Sequence, residues 1–145
     1  MTVSGTSPLR LTLLCGNPRP ASRTLAAAGQ VADALEGATS GTTWTRTVVD
    51  LADLATELFA PARPGVDNAL SLVTHSDVLV VATPVYKGSY TGLLKSFLDR
   101  LPHQGLHGAA PRLPPADAWA GGNAGLALHA ALCLHQRTQR EESLA

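Results

Sequence analysis

The sequence lacks the marks of several protein classes. It has only two cysteines, Cys15 and Cys133, which are far apart and outside any zinc-ligand spacing, so neither a disulfide framework nor a structural metal is predicted. Its 11 basic residues balance 11 acidic ones, and no run of like charge is present, which disfavours a nucleic-acid partner. No apolar run is long enough to cross a bilayer, and Arg10 interrupts any signal-peptide core. We expect a soluble, cytoplasmic protein with reduced thiols and no membrane partner.

What is present is an alternation of strand-like and helix-like patterns. Three short runs are rich in apolar or β-branched residues, and each is followed by apolar positions at helical spacing. The pattern predicts strands at Leu9–Cys15, Thr43–Leu51 and Asp77–Ala82, and helices from Ser22 to Gly37, at Val66–Ser76 and at Gly92–Leu101. Ser22 is the candidate N-cap of the first helix. The alternation favours an α/β fold, an open parallel sheet with helices on both faces.

The clean alternation ends at about Gly105. Arg112–Ala120, where a fourth strand is due, contains Pro114 and Pro115, and each proline removes a donor from a strand ladder. A helix is predicted at Gly125–Arg137, and no fifth strand follows it. The length fits a single domain over residues 1–145, and we expect residues 105–145 to be a divergent or shortened end of it.

A loop suited to a phosphate follows the first strand. The carboxyl ends of the strands are where open α/β sheets bind ligands, and Gly16–Thr24 joins the first strand to a helix N-terminus there. The N–H groups and positive dipole end of a helix favour an anion, and Arg19 or Arg23 can add charge-assisted hydrogen bonds. The alternative is that Asn17 and Ser22 only turn and cap the chain while both arginines face water. Neither a P-loop nor a G-x-G-x-x-G motif is present.

A second loop, Pro84–Tyr90, follows the third strand. It offers backbone amides, Tyr86 as a stacking surface and Gly88 as a point of close approach to a flat ring. The alternative is a tight turn whose tyrosines are half-buried packing residues. Two such loops at one sheet edge, one suited to phosphate and one to a planar ring, together indicate a mononucleotide site.

Two segments of the chain resemble the NADPH-dependent FMN reductase family of flavodoxin-like flavin reductases. They are Gly16–Thr24 (GNPRPASRT) and, more specifically, Thr83–Pro102 (TPVYKGSYTGLLKSFLDRLP). The resemblance implies a flavodoxin-like sheet in the order 2-1-3-4-5, with the fourth strand doubtful and the fifth missing in this chain. It also implies cofactor-binding residues at both loops and at a Gly-Gly turn beside the flavin. These residues are Asn17, Arg19, Ser22, Arg23, Thr24, Pro84, Val85, Tyr86, Lys87, Gly88, Gly121, Gly122 and Asn123.

The resemblance also implies an activity and partners. The activity is NAD(P)H-dependent FMN reduction, with hydride passing from a nicotinamide cofactor, NADPH in the family's name, to flavin and on to free flavin or a quinone-like acceptor. FMN and NAD(P)H are the implied ligands, a flavin-dependent monooxygenase is an implied partner, and a homo-oligomer is the implied assembly. No general acid or base is required, so no catalytic residue is named.

Other assignments stay open at this point. An FMN-binding or electron-carrier module, or an inactive truncated reductase, would carry the same two loops. The neutral charge balance disfavours the carrier, because flavodoxins are usually acidic. No metal site is expected, because the five histidines show no ligand spacing. Cys15, at the end of the first strand, is more typical of a small buried hydrophobe than of a reactive thiol.

Overall fold

The computed structural model describes residues 7–103, 105–106 and 126–129, the last four as backbone only. Strands and helices alternate through the described part. The strands are β1 (Leu9–Cys15), β2 (Trp44–Asp50), β3 (Val78–Pro84) and β4 (Leu126–His129). The helices are α1 (Arg23–Ala38), α2 (Pro64–Thr74) and α3 (Gly92–Leu98), with a short 3-10 helix at Leu51–Leu54. Every predicted strand and helix before residue 103 is therefore confirmed.

The sheet has β1 between β2 and β3, and both pairings are parallel. Leu9 lies opposite Trp44, and Cys15 lies opposite both Asp50 and Ala82. All three strands thus end at one edge of the sheet, which is where the two candidate loops begin. The order 2-1-3 and the flavodoxin-like arrangement are confirmed.

Helices cover both faces of the sheet. On one face α1 places Ala28 and Ala32 in a core with the alternate residues Val78 and Val80 of β3. On the opposite face α2 and α3 pack on Leu79 and Val81, for example through Phe97. The unbroken apolar sequence of β3 follows from this arrangement, since every one of its residues is buried.

Several element ends differ from the predicted ones. β2 stops at Asp50, because the Asp50 side chain accepts a hydrogen bond from the Ala52 N–H (3.4 Å) and caps the 3-10 helix that Leu51 begins. α2 begins at Pro64, two residues before the predicted start, since proline has the backbone angle of a first helical position and needs no N–H partner there. α3 stops at Leu98 rather than Leu101.

The helix predicted at Gly125–Arg137 is wrong over its first part. Leu126–His129 is a strand, antiparallel to β3, with Pro84 opposite Leu126 and Val81 opposite His129. The outer edge of β3 offers unpaired backbone groups, and pairing with them outweighs the helical propensity of a leucine- and alanine-rich segment. The doubtful fourth strand at 112–120 lies outside the described residues. Over the described ranges, no helix is long and apolar enough to cross a membrane.

Candidate functional site

The two loops predicted to form the site follow adjacent strands, β1 and β3, and Gly16, the first residue of the first loop, contacts residues on either side of the second. Its N–H donates to the Ala82 carbonyl of β3 (2.8 Å), and its own carbonyl accepts a hydrogen bond from the Thr91 hydroxyl (2.6 Å). A Cβ on Gly16 would lie 2.8 Å from the Leu94 Cβ and 3.3 Å from each of the Thr83 and Thr91 hydroxyls. Glycine is therefore required here, because α3 and the end of β3 pack directly against the backbone.

Residues 16–24, which we call the phosphate loop, are shaped by their own polar side chains. The Asn17 amide spans the loop: its Oδ1 accepts from the Arg19 N–H (2.9 Å) and its Nδ2 donates to the Thr24 hydroxyl (3.0 Å). Ser22 is the N-cap of α1, as predicted, and its Oγ accepts from the Leu25 N–H (3.2 Å). Both Asn17 and Ser22 thus perform the turning and capping roles that were the alternative to phosphate binding, and these roles fix the backbone of the loop.

Donors for an anion remain at the start of α1. Within residues 7–103, the Arg23 and Thr24 N–H groups meet no acceptor, because the first intrahelical bond of α1 is made by Ala26 to the Ser22 carbonyl. The first turn contains no acidic residue, so the positive end of the helix dipole is not neutralised locally. Arg19 and Arg23 are exposed residues next to this helix N-terminus. This arrangement suits a phosphate group.

A buried carboxylate accepts a hydrogen bond from the backbone of the phosphate loop. Asp50, at the end of β2, accepts a hydrogen bond from the Ala21 N–H (3.1 Å) through Oδ2. Ala21 has a φ of 49°, a left-handed conformation that costs a residue with a Cβ about 1 kcal/mol or more. The Asp50 bond helps to hold the loop in this conformation. Sequence reasoning missed Asp50, since nothing local distinguishes it from any acidic residue that ends a strand.

The second loop is a tight hairpin, which we call the ring hairpin, Tyr86–Ser89. Tyr86 and Ser89 exchange two backbone hydrogen bonds (2.9 and 3.1 Å), and the two residues between them have positive φ, 53° for Lys87 and 75° for Gly88. Positive φ at both central positions defines a type I′ turn. A lysine in that conformation is strained, and strain of this kind concentrates at ligand-binding sites.

The two tyrosines of the second loop have different surroundings. The Tyr86 residue is 49% exposed, which leaves an aromatic surface available for stacking. Tyr90 packs against the core cluster under α3 and lines a cavity of about 280 Å³ with Leu79, Val81 and Leu98. The packing alternative therefore describes Tyr90, whereas Tyr86 keeps the exposure that stacking on a ring needs.

The structure brings most of the predicted site residues to one sheet edge. Pro84 is buried as the last residue of β3, and Val85 leads from it into the ring hairpin. Gly121, Gly122 and Asn123 lie outside the described residues, as do Cys133 and Trp119. No group of three or more metal-ligating side chains occurs among the residues that the structure describes.

Cys15 lies at the same edge but is buried. Its side chain is inaccessible and its Sγ is 3.7 Å from the Ser22 Oγ. Burial raises the pKa of the Cys15 thiol; hydrogen bonds with the Asn17 backbone and the Ser22 side chain oppose this in part, and the nearby Asp50 carboxylate adds a smaller upward effect. A protonated, enclosed thiol is a poor nucleophile, in agreement with the interpretation of Cys15 as a packing residue.

This burial leads to a prediction for thiol chemistry. In a Cys133→Ser background, we expect iodoacetamide to modify Cys15 in the folded protein at least about tenfold more slowly than in urea at the same pH. The unfolded thiol ionises at lower pH than the folded one, so the free energy of unfolding should also fall as pH rises past the ordinary thiol range. Equal modification rates in the folded and unfolded protein would contradict the buried, protonated thiol.

Comparison with known proteins finds a matching family and similar enzymes. A family model described as "NADPH-dependent FMN reductase" matches residues 9–135. The chain is 30% identical over 138 residues to the NADH-dependent FMN reductase SfnF of Pseudomonas putida, covering 90% of this chain and 68% of SfnF. It is 44% identical over 45 residues to the FMN reductase (NADPH) of Escherichia coli, covering 31% of this chain and 24% of that protein.

Two solved structures have a similar fold. An NADH:FMN oxidoreductase, EmoB, in its apo form shares 34% sequence identity over 68% of this chain, with a TM-score of 0.57. An oxidoreductase from Corynebacterium diphtheriae shares 30% identity over 71% of this chain, with a TM-score of 0.65. This chain covers 52% of the first protein and 60% of the second, so it spans a little over half the length of either.

Proposed function

Because the chain belongs to the NADPH-dependent FMN reductase family, we propose that it binds FMN between the phosphate loop and the ring hairpin and reduces it with a nicotinamide nucleotide. The observation that carries the proposal is that Gly16, where the first loop begins, packs against the residues on either side of the second loop. One loop supplies donors for a phosphate, and the other supplies an aromatic surface for a ring. The proposed site residues are those predicted at the two loops, together with Gly121, Gly122 and Asn123.

Each described part of the site has a proposed task. The Arg23 and Thr24 amides and the Arg19 and Arg23 guanidinium groups bind the phosphate monoester, which riboflavin lacks. Tyr86 and the backbone of the ring hairpin hold the ring system so that one face stays open to the nicotinamide. When bound, the flavin supplies the hydride-accepting chemistry. The chain positions the flavin ring and the nicotinamide in contact with each other, and it needs no general acid or base of its own.

The choice of nicotinamide nucleotide is part of the proposal. The relatives include NADH-dependent and NADPH-dependent enzymes, and NADPH selection requires a cation for the 2′-phosphate. We propose use of either nucleotide, with electrons passing from the flavin on to free flavin or a quinone-like acceptor, and a flavin-dependent monooxygenase as partner. A cytoplasmic location and a single domain over 1–145 remain predictions of the sequence, and a homo-oligomer remains what the family resemblance implies.

A direct assay tests the proposal. Purified protein is titrated with FMN, and flavin fluorescence is followed. NADH and NADPH oxidation are then each measured with FMN at catalytic concentration. We expect fluorescence to change on binding and nucleotide oxidation to require both protein and FMN. Binding without oxidation would indicate a binding or electron-carrier module instead, and the absence of both would contradict the proposed function.

A further inference from the structure

Thr91 makes two hydrogen bonds that join separate parts of the site, to Gly16 and to Thr83, and its hydroxyl also caps α3. Its hydroxyl donates to the Gly16 carbonyl (2.6 Å) and accepts from the Leu94 N–H (3.1 Å), which makes it the N-cap of α3. Its own N–H donates to the Thr83 hydroxyl (3.2 Å). Thr83 and Thr91 are 0% and 2% exposed. Buried hydrogen bonds of this kind are shielded from competition with water.

The bond from Thr91 to Gly16 determines how the phosphate loop leaves the sheet. The Gly16 N–H is already held by Ala82, so its position is set by the sheet. The Gly16 carbonyl belongs to the next peptide plane, which leads into Asn17. By holding that carbonyl, Thr91 fixes the direction in which the phosphate loop leaves β1. Thr91 lies between the ring hairpin and α3 in the chain, so this direction is set relative to the end of the hairpin that leads into α3.

We propose that Thr91 is a positioning residue that couples the phosphate loop to the ring hairpin, so that FMN engages both at once. This inference rests on the proposed function, and it adds a residue that touches neither part of the ligand. A ligand held at two places gains affinity only when both places are preset at the right separation. Thr91 therefore contributes to the affinity for FMN much more than to the affinity for riboflavin, which has a ring and no phosphate.

The test is the ratio of the riboflavin Kd to the FMN Kd, measured by flavin fluorescence on the full chain. Thr91→Val keeps the shape of the side chain and removes the hydroxyl. We expect it to lower this ratio about tenfold, the effect of losing the buried hydrogen bond to the Gly16 carbonyl. Thr91→Ser restores the hydroxyl and should return the ratio to within about threefold of wild type. Ser96→Ala, which removes a hydroxyl bonded to the Gly92 carbonyl within α3, is the matched control and should leave the ratio unchanged.

Loss of helix capping alone gives a different result. Thr91→Val also removes the N-cap of α3, which should lower the melting temperature. If Thr91 were only a cap, both flavins would weaken equally and the ratio would stay constant. A constant ratio in a Thr91→Val protein that still melts cooperatively, or failure of Thr91→Ser to restore it, would overturn the inference.

A second variant disturbs the same contact without removing the Thr91 hydroxyl. Gly16→Ala places a methyl group against Leu94 and the two threonine hydroxyls, and should also lower the ratio. If Thr91→Val does not fold, Gly16→Ala becomes the deciding variant. An unchanged ratio of the riboflavin Kd to the FMN Kd in Gly16→Ala would then overturn the inference. A wild-type protein that binds FMN no better than riboflavin would overturn the proposed phosphate site and this inference together, whereas a wild-type preference for FMN that survives both substitutions would overturn this inference alone.

Discussion

Replacing Arg19 and Arg23 together with alanine should weaken FMN binding by roughly a hundredfold and riboflavin binding by less than about threefold. Hydrogen bonds to charged groups contribute about 1.5–3 kcal/mol each. Both arginines are exposed to solvent, so we apply the lower end of that range to each. The measurement is the Kd of the two flavins at fixed ionic strength. The FMN affinity of the wild-type protein should also decline with added salt more steeply than that of the double variant.

Arg46 offers a control with a charge distant from the site. Its guanidinium binds Asp33 (2.7 Å) and Glu36 (2.9 Å) of α1, at the opposite end of the helix from the phosphate loop. Arg46→Ala should therefore leave both flavin affinities within about twofold of wild type. If the double variant lost affinity for FMN and riboflavin equally, the two arginines would not contact phosphate.

Gly16→Ala should lower the free energy of unfolding by about 1–3 kcal/mol, because overpacking a tight contact forces neighbouring atoms to move. The added methyl would lie 2.8 Å from the Leu94 Cβ, and Leu94 is fully buried between α3 and the sheet. Neither backbone segment can shift without breaking the Gly16 hydrogen bonds to Ala82 and Thr91. Urea unfolding, with equal slopes for the variant and the wild type, is the measurement.

Gly29→Ala is the matched substitution for this experiment. Gly29 lies inside α1, and nothing is within 4 Å of a Cβ built there. Alanine should therefore stabilise the protein by about 0.5–1 kcal/mol, because glycine loses more backbone freedom in a helix. If both substitutions changed stability in the same direction, the close approach at Gly16 would not be the cause.

The sequence was sufficient to predict the first three strands and the helices between them. Val78–Ala82 of β3 is apolar on both faces and fully buried, and residues 11–15 of β1 are buried as well, so the apolar sequence and the buried position agree there. Helix and strand ends were less predictable. They depend on single contacts, such as the Asp50 carboxylate that caps the Ala52 N–H, which the periodicity of apolar residues does not record.

The site was predicted less completely than the fold. The Ser22 cap follows from a local rule, and it was found. Thr91 also precedes a helix and could have been recognised as a cap, but its bond to Gly16 joins residues 75 positions apart. Contacts at that separation are decided by the packing of α3 on the sheet. The hydrogen bond from the Ala21 N–H to Asp50 is likewise a contact between distant residues, since Asp50 ends β2 and Ala21 follows β1.

The incorrect helix after Gly125 has a different origin. Leu126–His129 has helix-forming residues, yet it pairs with β3 in an antiparallel ladder. A free sheet edge is a tertiary feature, and it overrides a weak local preference. Its antiparallel direction could not be read from a chain in which all earlier pairings are parallel.

A crystal structure of the FMN complex tests the central claim most directly. We expect the phosphate within hydrogen-bond distance of the Arg23 and Thr24 amides, with the ring system against Tyr86 and the ring hairpin. The phosphate loop should keep the Asn17 and Ser22 hydrogen bonds that it has here. FMN bound elsewhere on the sheet, or with its phosphate facing solvent while these amides face water, would contradict the account.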